Sequence, residues 1–123
     1  MDILNLDQLK QLIDIEQLIE DLEQGYLLYS QGRVEVPPVG FLNFQNPPGD
    51  VHIKYGYIKQ DSVYVVKIAS GFYDNPQLGI SSSDGLLLVF NQQTGKLESI
   101  LLDECYLTDV RTAVGGAVAA KLL

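Results

Sequence analysis

The sequence has almost none of the residues that build metal centres or covalent staples: one cysteine and one histidine in 123 residues. Cys105 alone cannot form an intrachain disulfide. His52 alone excludes histidine-rich metal sites, and any nucleophilic triad would have to use it. Positive charge is also scarce. Eight Lys and Arg stand against sixteen Asp and Glu, a net charge of -8 that repels phosphate backbones and anionic lipid surfaces. Neither a nucleic-acid nor a membrane partner is expected. No apolar run approaches the roughly 20 residues that span a bilayer. The start of the chain lacks the basic and apolar pattern of a secretory signal, so a cytoplasmic location is the expectation.

What is present is apolar surface: 46% of the residues are hydrophobic. That is enough for one domain with its own core, and 123 residues are too few for two ordinary domains. A single domain over 1–123 is expected.

From Leu4 to Gly32 apolar residues recur at helical spacing, with Leu18, Ile19, Leu22 and Tyr26 on one stripe. Asp14 is placed to cap a second helix and Gln17 to reach back to it, so two helices broken near Asp14 are predicted. Gly32 can end the second in a left-handed conformation. Val34 to Val36 runs into Pro37-Pro38, an edge strand or rigid bend, and Asn46 to Asp50 reads as a turn. Strict alternation from Val51 to Ile58 predicts a strand with His52, Lys54 and Gly56 on one face. Ser62 to Ser70 is a second strand, which places Lys67 on the face of Val63, Val65 and Ala69. Leu86–Phe90 and Leu97–Leu102 flank a glycine-containing hairpin loop, and their continuous apolar character predicts burial on both faces. Thr108 is placed to cap a last, alanine-rich helix through Arg111 to Lys121. The fold class expected is α+β: N-terminal helices on a mixed, mostly antiparallel sheet, closed by a C-terminal helix.

Four features bear on chemistry. Cys105 follows Asp103 and Glu104, which raise a thiol pKa and favour a structural cysteine. His52 reads as a half-exposed strand residue. The segment Gly79 to Gly85 could cradle an anion but lacks the glycine spacing of a nucleotide site. Lys67 is the outlier. It either carries its ammonium to the sheet margin, paired with Asp74 or Asp84, or serves as a proton donor that polarises a carbonyl or imine, since burial lowers a lysine pKa. Arg111, near a helix start, gains nothing from the dipole there, and an arginine beside free N–H groups suits a carboxylate.

Lys67-Ile-Ala-Ser-Gly-Phe-Tyr-Asp-Asn-Pro, then Leu78-Gly79-Ile80 to Gly85, Thr94-Gly95, Leu101-Leu102-Asp103 and Leu107-Thr108-Asp109-Val110-Arg111-Thr112-Ala113 together resemble the ornithine cyclodeaminase and mu-crystallin family. Tyr29 to Arg33 and Val36-Pro37-Pro38 extend the likeness over nearly the whole chain. Members of that family use NAD(H) or NADP(H) to interconvert amino acids with imines or keto acids, and the type enzyme turns ornithine into proline with loss of ammonia. The resemblance implies that Lys67 is the catalytic lysine and that Arg111, with Lys54 and Thr112, binds an amino-acid-like substrate. It further implies a homodimer formed through the sheet. Two departures stand out: Val39 follows the Pro-Pro pair where the family often has arginine, a place Lys54 could fill, and Ile80-Ser81-Ser82 replaces Leu-Pro-Thr. Complete members continue into a nucleotide-binding domain that this sequence does not contain, so no cofactor is expected on this chain alone. The resemblance leaves two alternatives: the substrate and dimer part of a larger enzyme, inactive alone, or a stand-alone amino-acid-binding or interaction module.

Overall fold

A computed structural model describes the backbone of residues 1–122 and the side chains of residues 1–121. The chain opens with a short strand, β1 (Asp2–Leu4), and two helices, α1 (Leu6–Leu12) and α2 (Ile15–Ser30). Strands β2 (Val34–Glu35), β3 (Gly40–Gln45), β4 (Pro48–Ile58), β5 (Val63–Phe72), β6 (Ser83–Asn91) and β7 (Leu97–Leu101) follow, and α3 (Tyr106–Leu122) comes last. They build one seven-stranded sheet in the order β1-β7-β6-β5-β4-β2, with β3 also on β4. Every pairing is antiparallel except β1 with β7. The architecture is the α+β fold expected.

The helices form where their ends are satisfied. Asp14 caps α2 by accepting from the Glu16 and Gln17 N–H groups at 3.0 and 3.3 Å, as the sequence predicts. Gln17 does not return to it; its amide donates to Asp21 instead. The reciprocal capping box belongs to α1, between Asn5 and Gln8. Gly32 ends α2 at φ +73°, a conformation in which glycine carries no side-chain penalty.

Three expectations need correction. Leu4 belongs to β1, whose parallel ladder to β7 is set at the far end of the chain and leaves no local pattern. The turn expected over Asn46 to Asp50 is only two residues long: β4 already begins at Pro48, and its first residues pair with a strand, β3, that the sequence reading did not assign. Thr108 lies inside α3 and does not cap it. The helix starts at Tyr106, where the buried Asp103 carboxylate accepts from the Leu107 N–H at 3.0 Å. Glu104 and Cys105 turn into it with φ of +50° and +69°, a left-handed pair that costs side-chain residues about 1 kcal/mol each. The turn is held by burial of Cys105, whose thiol donates to the Asp84 carbonyl.

Register decides which side chains share a face. Lys54, Lys67, Leu87 and Leu101 stand directly opposite one another across β4, β5, β6 and β7. Helices α2 and α3 lie over this face, and the tightest core, Leu9, Val114 and Val118, is drawn from the helices. The other face carries Val66, Ile68, Leu86 and Leu88, all half-exposed, beside a stacked Tyr64–Phe90 pair with centroids 4.9 Å apart. Strands β6 and β7 are therefore not buried on both faces, because α2 and α3 pack on one side.

Candidate functional site

Between α2, α3 and the sheet lies a cavity of about 260 Å³. Its walls are Leu18 and Leu22 from α2, Leu87 from β6, and Leu107, Val110 and Val114 from α3, with Lys67, Thr108 and Arg111 as the polar members. A second space of about 510 Å³, between α2 and β2, shares Leu22 and Arg111 with the first and adds Tyr26 and Tyr29. Among the described residues no carboxylate lines either one.

Lys67 enters the cavity because the strand alternation of β5 leaves it no other face. It pairs with neither Asp74 nor Asp84; its ammonium donates to the Thr108 hydroxyl at 3.3 Å. Partial burial pushes its pKa below the ordinary lysine value of 10.5, and the charges of Lys54 and Arg111 push the same way. Cys105 and Asp103 oppose them more weakly. Lys54 sits beside Lys67 on β4, exposed, so register brings together two lysines thirteen positions apart. Arg111 is exposed in the second turn of α3, beyond the reach of the N-terminal dipole, so the dipole argument for it does not hold. It reaches the cavity by helical spacing, one turn after Leu107 and Thr108.

Thr112 is not part of the cavity wall: it is exposed and its hydroxyl donates to the Thr108 carbonyl at 3.0 Å. Thr108 is the residue sequence reading missed as a site member, because it was assigned to the helix cap. Its i−3 spacing from Arg111 was the available signal. The remaining candidates lie elsewhere. His52 is half-buried beside Phe41 and 3.8 Å from Asp50. Cys105 is buried, and its pKa is raised by burial and then by Asp103. The Gly79–Gly85 segment runs from a short turn at Asn75–Leu78 into β6. No helix begins there to supply free N–H groups, and Ser81 is bonded within the loop through Asn75 and Ser83. That segment fits neither a phosphate nor a dinucleotide.

Comparison with known proteins bears on this arrangement. The sequence profile of the ornithine cyclodeaminase/mu-crystallin family matches residues 1–123. The chain belongs to this family. An uncharacterised cyclodeaminase of Sinorhizobium fredii is 38% identical over 125 residues, which cover 100% of this chain and 38% of that protein. The family member thus spans under two fifths of its relative's length. An archaeal alanine dehydrogenase dimer with bound NAD superimposes with a TM-score of 0.91 at 25% identity, over 100% of this chain and 37% of that one. Thermococcus litoralis Δ1-pyrroline-2-carboxylate reductase, in complex with NADH and L-proline, shares the fold at a TM-score of 0.93 and 24% identity, over 100% of this chain and 38% of that one. The family therefore includes NAD-dependent enzymes, in which the matching part is a minority of the chain. No helix among the described residues is long and apolar enough to cross a membrane.

Proposed function

We propose that this chain supplies the substrate-carboxylate site and the dimer face of an NAD(P)-dependent enzyme that interconverts amino acids with imines or keto acids. The observation that carries the reading is a reversal of charge. The chain has net charge -8 and only eight Lys and Arg, yet Lys67 and Arg111 line one apolar cavity, with Lys54 opposite Lys67 and no carboxylate in its wall among the described residues. An anion entering such a site exchanges water for charged donors in a low-dielectric setting, where each hydrogen bond is stronger.

The roles follow from chemistry. Arg111 is the clamp, since a guanidinium presents paired donors to the two oxygens of a carboxylate. Lys67 sits deeper, and its lowered pKa makes it the better group to give a proton to, or polarise, an oxo or imino group at the adjacent carbon. Thr108 aims the ammonium. Lys54, opposite Lys67 on the neighbouring strand and outside the cavity wall, adds charge in place of the arginine that Val39 does not provide. Thr112 acts through its bond to the Thr108 carbonyl, as a positioning residue. A nicotinamide cofactor would supply or accept the hydride. The Gly79–Gly85 segment offers it no row of free N–H groups, and binding and proton transfer are the steps assigned to this chain. The half-exposed, apolar sheet face supports the homodimer.

The test is stabilisation by ligand. Pyruvate should raise the melting temperature of the chain, and Lys67→Ala or Arg111→Ala should abolish the rise. An undiminished rise in both variants would place the carboxylate elsewhere.

A further inference from the structure

On the sheet face turned away from the helices, register lines up Glu35, Tyr57, Tyr64 and Phe90 in one row across β2, β4, β5 and β6, with Tyr55 and Val66 opposite each other in the next. Those rows and Pro37 wall a hollow of about 220 Å³. Cross-strand aromatic pairs stabilise a sheet, and the Tyr64–Phe90 stack is such a pair. Tyr55 and Tyr57 form no such pair among the described residues and border the hollow instead. Glu35 brings a carboxylate to the same wall, against the Tyr57 hydroxyl, whose pKa a hydrogen bond to it raises. Among the described residues, no lysine or arginine lines the hollow or lies within ion-pair distance of Glu35.

The arrangement suits a cation: aromatic faces attract one through their quadrupole, and the carboxylate supplies the counter-charge. One carboxylate cannot furnish the roughly six oxygens that a hard metal ion takes. A primary ammonium holds its water tightly, whereas a quaternary one spreads its charge over methyl groups that tyrosine rings, Pro37 and Val66 can cover. At about 30 Å³ for each water-sized group, the hollow has room for roughly seven non-hydrogen atoms, the size of choline. We propose that this hollow binds a quaternary ammonium group, with the tyrosines around its methyls and Glu35 against its charge. The site is on the opposite side of the sheet from the Lys67 cavity and is independent of the carboxylate reading. It shares Val66 with the patch assigned to the homodimer, so the dimer can cover it.

Choline and 3,3-dimethyl-1-butanol, its uncharged isostere, form a matched pair. Titration calorimetry should show choline binding about tenfold more tightly, in the unsubstituted chain or, where the dimer covers the hollow, in Ile68→Asp. Tyr55→Leu keeps an apolar wall and removes a ring; Glu35→Gln removes the charge. Each should weaken choline binding roughly three- to tenfold and leave pyruvate binding as it was. Should Tyr55→Leu fail to fold, the matched pair and Glu35→Gln decide. Equal affinity for the two compounds would make the hollow an apolar cleft without preference for cations and overturn the proposal. So would choline binding undiminished in either variant, or no choline binding in either association state.

Discussion

Lys67 is costly where it stands. An ammonium partly withdrawn from water, near two other cations, is destabilised relative to its neutral form, which is why its pKa falls below 10.5. A bound carboxylate reverses that penalty, so ligand binding and protonation of Lys67 support each other. The sign follows directly. Below the lowered pKa the site is charged and affinity is full; as pH rises through it, Lys67 loses its proton and affinity declines, at lower pH than an ordinary lysine would give. Pyruvate affinity measured from pH 7 upward should show this fall, and Lys67→Ala should bind more weakly with no such fall. Thr108 sets the direction of the ammonium without carrying charge, so Thr108→Val should weaken binding and leave the descent in place.

At the scale of elements, the site depends on where α3 begins. Asp103, not Thr108, fixes the start, by accepting from the Leu107 N–H out of reach of solvent. Asp103→Ala should therefore cost about 2 kcal/mol in denaturant unfolding, against about 1 kcal/mol for Asp14→Ala at the exposed cap of α2, while Thr108→Val should cost little. Equal losses at Thr108 and Asp103 would restore the cap assigned from sequence. The break at Asp14, the end at Gly32 and strands β4 to β7 were legible because caps and alternation are local signals. β1 and β3 were not: β1 is three residues long and paired with the distant β7, and β3 mixes Gly40, Asn43 and Gln45 with its apolar positions. Lys67 and Arg111 could be picked out singly, as charged residues in unfavourable places. That Lys54 lies beside Lys67 follows from strand register, and no spacing along the chain shows it.

At the scale of the molecule, the sheet has two unlike faces. One is covered by helices and holds the cations; the other leaves Val66, Ile68, Leu86 and Leu88 half-exposed in adjoining strands, an apolar patch of the kind that marks an interaction surface. The proposed homodimer covers it. Ile68→Asp should shift the chain from dimer to monomer in light scattering while leaving its helices intact, and a dimer that survives would move the interface elsewhere. The proposed dimer face and the cavity lie on opposite sides of β5, so association and carboxylate binding should be separable by mutation. The central claim is that Lys67 and Arg111 hold one carboxylate. A crystal structure of the chain with pyruvate tests it most directly: the account predicts the carboxylate within hydrogen-bond distance of the Arg111 guanidinium and the Lys67 ammonium. A ligand seated elsewhere, on the Gly79–Gly85 segment for instance, would contradict it.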